Sequence, residues 1–210
     1  MVYRLTQVML CLMLMSSCSQ KPKALRPNEY LKWVAAEENG LVITKVINAV
    51  TLNARYLPAD YLAYHEFKNS TADSFDSLVA SYNCGLTFQF NIYADKTNKN
   101  YSNLMYYGLR NEQELSARTR ILSFNISDFI MLEHDDKIYY PELSQFEGYD
   151  AIRNRLSFQM VFSVDEFDCG LDLSSFQDVT LIFEDPYWDV GVNYFEFEKN
   201  SFTGLPKIKF

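Results

Sequence analysis

Between residues 86 and 94 the chain alternates between large apolar and more polar side chains, as a strand with one buried face does. Shorter stretches with the same period of two occur at 50–56, 156–164, 179–183 and 195–197. About eight or nine strands, each with one solvated face, predict an antiparallel β-sandwich or an open barrel.

Two positions predict β-hairpins. Residues 41–47 are rich in β-branched side chains and directly precede the alternating segment 50–56. Segments 129–133 and 138–140 flank the polar triplet Asp135-Asp136-Lys137. Because Pro141 has no backbone N–H to donate, the return strand is expected at the edge of a sheet.

Helical signals concentrate in the N-terminal half. They predict helices over 28–38, stopped by Asn39-Gly40, over 58–67 and over 71–83. Asn111 and Glu114 form a capping-box pattern for a short helix to about Arg118, after which Leu122, Phe124 and Ile126 predict another strand. The expected fold class is therefore α+β and β-rich, with several short helices.

The N-terminus has the features of an export signal. Residues 1–17 carry one charge, Arg4, and an apolar stretch from Val8 to Met15 that is too short to cross a bilayer, which requires about 20 residues. The sequence Met15-Ser16-Ser17-Cys18 resembles the lipobox of bacterial lipoproteins. This resemblance implies that Cys18 is acylated and becomes the first residue of the mature protein.

This interpretation divides the chain into three parts: a signal peptide at 1–17, a tether at 18–27 that contains Pro22 and Pro27, and one globular domain at 28–210. We expect the protein to be lipid-anchored in the cell envelope, at the outer membrane. Removing the signal takes away only Arg4, so the formal net charge of −8 becomes −9, which argues against nucleic acid as a partner.

Composition excludes several kinds of site. The chain has only two histidines, His65 and His134, so a three-histidine zinc site is impossible. Its seven glycines are too widely spaced for a phosphate-binding loop. We expect neither a metal nor a cofactor.

Two cysteines remain in the mature chain besides Cys18. Cys84 and Cys169 each precede Gly-Leu, and in an oxidising compartment they can form a disulfide. Two unpaired, buried thiols are the alternative.

Acidic residues offer the candidate catalytic groups. Asp165, Glu166 and Asp168 lie before Cys169, and Glu184 and Asp185 before Pro186, so carboxylates at strand ends are conceivable as a hydrolytic pair. The cluster from Glu133 to Asp136 contains His134, but successive strand residues point to opposite faces, which favours a solvated hairpin tip.

Adjacent aromatic residues offer the candidate binding groups. Tyr187 and Trp188 follow Pro186, which should end the strand near Glu184 and place both rings on a loop. We expect at least one of the two to be accessible and to belong to an interaction surface. The alternative is that both rings are buried.

The segments Tyr30-Leu31-Lys32-Trp33-Val34 and Tyr56-Xaa-Pro58-Ala59-Asp60-Tyr61, together with the C-terminal Leu205-Pro206-Lys207-Ile208-Lys209-Phe210, resemble those of small uncharacterised lipoproteins of Gram-negative bacteria. The resemblance implies localisation but adds no catalytic residue. Our first hypothesis is a non-catalytic binding or structural module for a protein partner of the envelope. The alternatives are a periplasmic hydrolase that uses carboxylates and a glycan-binding module that uses exposed aromatics.

Overall fold

The computed structural model of the protein describes residues 21–69, 74–163 and 177–210. Within these ranges it contains eleven strands: β1 (Ala24–Leu25), β2 (Val42–Ile47), β3 (Val50–Leu57), β4 (Leu86–Ala94), β5 (Ile130–His134), β6 (Lys137–Tyr139), β7 (Leu143–Asp150), β8 (Arg155–Phe162), β9 (Val179–Glu184), β10 (Val192–Phe197) and β11 (Lys207–Ile208). Five α-helices accompany them: α1 (Pro27–Ala35), α2 (Ala59–Phe67), α3 (Phe75–Tyr82), α4 (Glu112–Phe124) and α5 (Lys199–Phe202).

The strands form two antiparallel sheets and one short parallel ribbon. The five-stranded sheet has the order β2-β3-β4-β8-β7, and the four-stranded sheet the order β10-β9-β5-β6. β1 and β11 pair in parallel and form the ribbon. Neither sheet closes on itself. The predicted β-rich α+β class, with helices mainly in the N-terminal half, is confirmed, and the described ranges contain eleven strands where about eight or nine were expected.

The core lies between the two sheets and is built from aromatic rings. The ring of Phe90 in β4 lies 4.8 Å from that of Phe183 in β9 and 5.6 Å from that of Phe195 in β10. Phe88 likewise lies 5.2 Å from Phe197. Alternate residues of β4 therefore all point to the core, as its period of two predicted.

Both predicted hairpins are present. β2 pairs with β3, and β5 with β6, which lies at the edge of its sheet before Pro141. Asp135 and Asp136 in the second turn have φ values of 49° and 59°, the geometry of a type I′ turn. Gly40, at φ 75°, ends the first helical region where Asn39-Gly40 predicted a left-handed stop.

The predicted strand at 122–126 is wrong, because α4 continues to Phe124 and a 3₁₀ turn at Ile126–Asp128 follows it. Leu115, Arg118 and Leu122 are spaced by three and four residues, so one helix face packs all three against the domain, Arg118 and Leu122 buried and Leu115 partly buried. Leu122, Phe124 and Ile126 match a strand period over only three positions, and the middle one, Phe124, is exposed.

β7 was missed in the sequence. Its register shifts between Phe146 and Gly148, so apolar residues do not keep one parity along the strand. Phe146 nevertheless stacks on Phe158 of β8 at a ring distance of 5.1 Å.

Residues 24 and 25 of the predicted tether at 18–27 form strand β1. From residue 21 onward the chain belongs to the fold, since the backbone N–H groups of Lys207 and Lys209 donate to the carbonyls of Lys23 (3.0 Å) and Leu25 (2.9 Å). Pro22 and Pro27 flank this short edge strand and remove no hydrogen bond from it. Among the helices of the described ranges, none is long and apolar enough to span a membrane.

Candidate functional site

The loop after β9 begins where Pro186 predicted, but it does not expose Trp188. The Trp188 side chain has an exposed fraction of 0 %, and its indole N–H donates to the Leu104 carbonyl at 2.9 Å. Because that carbonyl satisfies the only polar atom of the indole, the whole ring can be buried. Trp188 is therefore not available to an interaction surface, and the prediction that at least one of the two rings is accessible depends on Tyr187.

Tyr187 is half-buried and faces a buried cation. The guanidinium of Arg118 lies 4.3 Å from the centre of its ring and donates to the carbonyls of Leu104 and Met105. Burial raises the pKa of Tyr187, whereas the positive charge of Arg118 opposes this shift. A role for Tyr187 in a partner surface stays a prediction.

Asp185, one of the candidate catalytic acids, is occupied by its own loop. Its carboxylate accepts the backbone N–H groups of Tyr187 (2.8 Å), Trp188 (2.8 Å) and Val190 (2.7 Å). This is a turn-stabilising role. Asp165, Glu166 and Asp168 lie outside the described residues.

The acidic cluster of the β5–β6 hairpin is divided between the two faces of the strand and the turn. His134 is buried, whereas Glu133 points to the opposite face of the strand and the two turn aspartates are exposed. The turn brings Asp135 Oδ2 to 3.5 Å from His134 Nε2. In the described part of the chain, no group of three or more His, Cys, Asp or Glu residues is arranged to hold a metal ion.

Cys84, between α3 and β4, is disulfide-bonded. Cys169 and Cys18 lie outside the described residues. The pairing of Cys84 with Cys169 and the acylation of Cys18 therefore stay predictions.

The outer surface of the five-stranded sheet carries a continuous row of polar side chains. Register places Thr44, Asn53, Asn91 and Ser157 side by side on β2, β3, β4 and β8. Ser157 donates to Asn91 Oδ1 at 2.8 Å, Asn91 to Asn53 Oδ1 at 3.4 Å, and Asn53 to Thr44 Oγ1 at 3.0 Å. We call this row the amide ladder.

Each amide of the ladder keeps part of its hydrogen-bonding capacity. A carboxamide has two N–H donors and two acceptor lone pairs. Asn53 and Asn91 each use one donor and one lone pair within the described structure, which leaves one of each for a ligand.

A surface cavity of about 310 Å³ lies over the ladder, lined by Asn53, Asn91, Tyr93, Arg153 and Arg155. Tyr93 and Arg155 are directly opposite each other on β4 and β8. The Nε atom of Arg155 is buried and has no hydrogen-bond partner in the described structure. The cavity thus combines amides, a phenol and guanidinium groups, and none of its lining residues is a carboxylate.

The turn between β7 and β8 positions the two arginines. Asp150 accepts the backbone N–H groups of Ile152 (2.9 Å) and Arg153 (3.0 Å), and its other oxygen lies 3.3 Å from Arg153 Nη1. These hydrogen bonds and the charges of Arg153 and Arg155 lower the pKa of Asp150. Arg153 is therefore held beside the cavity by a carboxylate that is ionised at neutral pH.

Asn154, between the two arginines, locks this turn onto the domain. It is fully buried at φ 51°, and its Nδ2 donates to the carbonyls of Ala94 (3.0 Å) and Tyr101 (2.7 Å). Its Oδ1 accepts from the Leu104 N–H and the Tyr149 hydroxyl, both at 2.9 Å. All four hydrogen-bonding positions of the amide are used.

Sequence reasoning missed this site. Asn53, Asn91 and Ser157 were recognised only as the polar members of three separate alternating segments. The available signal was the recurrence of amide and hydroxyl residues at outward positions of adjacent strands, but strand order and register were needed to place them in one row.

No protein-family profile matches the chain, and no curated protein matches its sequence. Among solved structures, the chain is similar to a novel protein of unknown function from Burkholderia pseudomallei, with a TM-score of 0.37 and 13 % sequence identity. The match covers 87 % of this chain and 94 % of that chain. A similarity at this level carries no functional argument.

Proposed function

We propose that the protein is a lipid-anchored, non-catalytic binding module of the bacterial cell envelope, and that its ligand is a glycan bound on the outer face of the five-stranded sheet. The observation that carries this proposal is the 310 Å³ cavity over the amide ladder, with Tyr93, Arg153 and Arg155 around it.

The chemistry of the cavity suits a sugar. Each hydroxyl of a pyranose ring is both donor and acceptor, which matches the free N–H and lone pair of Asn53 and Asn91. The half-buried ring of Tyr93 offers an apolar face for the C–H side of a sugar and a hydroxyl at its end. The guanidinium of Arg155 adds donors, one of them a buried N–H without a partner.

The lining also favours binding over hydrolysis. Hydrolysis of a glycosidic bond ordinarily needs two carboxyl groups about 5 to 9 Å apart. The cavity is lined by no carboxylate, and Asp185 is held by the N–H groups of its own loop.

The test uses an array of neutral and acidic oligosaccharides, followed by titration calorimetry with the glycan that binds most strongly. We expect Tyr93→Ala and Arg155→Gln each to raise the Kd about tenfold or more, the effect of losing about 1.4 kcal/mol of binding free energy. Both variants should unfold at nearly the wild-type temperature, because neither side chain belongs to the core.

Two matched variants serve as controls. Tyr194→Ala removes a tyrosine from the outer face of the other sheet, and Arg120→Gln removes an exposed arginine from α4. Both should bind the glycan like wild type. If no oligosaccharide binds, or if Tyr93→Ala and Arg155→Gln bind normally, the glycan proposal is rejected.

A protein partner is the second candidate, and a different surface favours it. On the outer face of the four-stranded sheet, Val192 and Tyr194 are 51 % and 50 % exposed, and Tyr194 is aligned with Ile182 and Met131 on the neighbouring strands. A partner at this surface predicts the opposite pattern: in-cell cross-linking to one protein that is lost in Tyr194→Ala and kept in Tyr93→Ala.

A further inference from the structure

Basic residues are concentrated on the ribbon formed by β1 and β11. The mature chain has 18 basic residues, and five of them lie on this ribbon or beside it: Lys21, Lys23, Arg26, Lys207 and Lys209. The two backbone hydrogen bonds of the ribbon hold the N-terminal and C-terminal members of this set side by side. We call these five residues the basic end.

The basic end retains uncompensated positive charge. Arg26 is paired with Glu29, and Lys207 Nζ lies 3.3 Å from Asp60. Lys23 and Lys209 are exposed and form no ion pair with any described residue. In a chain of net charge −9 after processing, this is a local surface suited to an anionic partner.

An exposed aromatic ring adjoins these charges. Phe210 is 67 % exposed, and its ring packs on Phe75 (5.0 Å) and Phe67 (5.6 Å). Phe210 and Lys209 also line a cavity of about 470 Å³ together with Arg26 and Tyr64. Cations beside aromatic rings at a surface are the combination found at the boundary between lipid headgroups and acyl chains.

Lys21, the first described residue, is fixed to this end of the domain. Lys21 Nζ donates to the backbone carbonyls of Asn200 and Thr203. Only residues 19 and 20 separate Lys21 from Cys18, and three residue steps reach at most about 10 Å. An acyl chain on Cys18 would therefore hold the basic end within about one Debye length of the bilayer surface.

We propose that the basic end is a membrane-docking surface that lies on anionic phospholipid headgroups, with Phe210 at the interface. This inference rests on the lipid anchor of the proposed function and is independent of the glycan. Docking through the basic end fixes the orientation of the domain relative to the membrane. A flexible tether that extended to residue 27 would leave this orientation free.

The experiment uses the acylated protein, purified from membranes and reconstituted into vesicles that contain a nitroxide-labelled phospholipid. The reporter is the fluorescence of Trp33, a half-buried residue whose ring centre is 5.9 Å from Lys21 Nζ. We expect at least about twofold stronger quenching in phosphatidylethanolamine with phosphatidylglycerol than in phosphatidylcholine. The difference should shrink when the salt concentration rises from about 50 mM to about 500 mM.

Charge reversal identifies the surface. Lys23→Glu with Lys209→Glu should remove most of the quenching in anionic vesicles. The matched control, Lys96→Glu with Lys99→Glu, changes the net charge equally on the loop after β4, and it should be quenched like wild type. Trp33→Phe, which keeps only the buried Trp188, should show little quenching in any vesicle.

Quenching that is equal in the two kinds of vesicle, or unchanged by Lys23→Glu with Lys209→Glu, overturns the docking surface. The mass of the N-terminal peptide reports the anchor separately, and an unmodified Cys18 overturns the inference together with the anchoring. Glycan binding by the charge-reversed variant should be normal, so a failure of the docking surface is distinguishable from a failure of the glycan proposal.

Discussion

At the scale of single residues, polar side chains with several backbone hydrogen bonds hold the irregular parts of this protein in place. Asn154 and Asp185 act in the same way: each side chain binds the backbone of neighbouring loops through several hydrogen bonds. Asn154 stabilises the turn that carries Arg153 and Arg155, and Asp185 stabilises the loop between β9 and β10.

Replacing Asn154 by Ala should destabilise the protein by more than about 3 kcal/mol. The substitution removes four hydrogen bonds that contribute about 1 kcal/mol each, and it leaves two carbonyls and one N–H without a hydrogen-bond partner. It also places Ala at a positive φ. Urea unfolding gives the free energy. Asn100→Ala, at an exposed loop position, should stay within about 0.5 kcal/mol of wild type, and equal losses in the two variants would contradict this role.

Replacing Trp188 by Ala should cost about 3 to 5 kcal/mol, since it removes a fully buried ring and creates a cavity beside Phe183. Trp188→Phe keeps most of the volume and loses the bond to Leu104, so about 1 to 2 kcal/mol is expected. Unfolding free energies in urea measure both. A loss below about 1 kcal/mol for Trp188→Ala would contradict the assignment of this ring to the core.

At the scale of elements, the period of the apolar residues decides which segments were predictable. β4 and β8 keep one face to the core over their whole length, and their alternation shows this. The C-terminal half of α4 was wrongly predicted as a strand because a helical spacing matches period two over a short stretch. β7 was missed because its register shift breaks the period of two.

The disulfide of Cys84 should connect the α3–β4 junction to the segment between β8 and β9, through Cys169. In the chain-entropy model, closing a loop of about 85 residues stabilises the fold by about 4 to 5 kcal/mol. Peptide mapping without reduction should recover Cys84 linked to Cys169, and Cys169→Ser should lose as much stability as chemical reduction does. Recovery of Cys84 linked to another cysteine would refute the pairing.

At the scale of the whole molecule, the basic end and the cavity lie at opposite ends of the five-stranded sheet. Asp60, which binds Lys207, follows the end of β3 at Leu57, whereas Tyr93 is aligned with Thr51 near the other end. Six residue steps along a strand correspond to about 20 Å. The cavity and the basic end are therefore separated by about 20 Å along the strands of this sheet.

Cys18→Ser should move the protein from the membrane fraction to the soluble periplasmic fraction without changing its unfolding in urea. Acyl chains supply the anchoring, since each buried CH₂ group contributes about 0.8 kcal/mol, whereas the substitution changes none of the described core residues. Fractionation followed by immunoblotting provides the measurement. A variant that still partitions into detergent like wild type would contradict acylation at this residue.

The sequence by itself determined the features that depend on neighbouring residues. Four features of this kind follow from backbone geometry and from the period of side chains along one segment. They are the alternation in 86–94, the Asp135-Asp136 turn, the helix stop at Gly40 and the strand end before Pro186. The β-rich α+β class followed from counting such segments. The lipobox was likewise a local pattern, and its chemistry stays a prediction.

Only the tertiary structure decided which distant segments meet. The amide ladder requires the order and register of four strands, and the basic end requires the two chain termini to pair. Trp188 shows the same dependence: its burial rests on the carbonyl of Leu104, 84 residues away in the chain. Contacts of this kind arise from packing between segments, and the local sequence around each residue does not contain them.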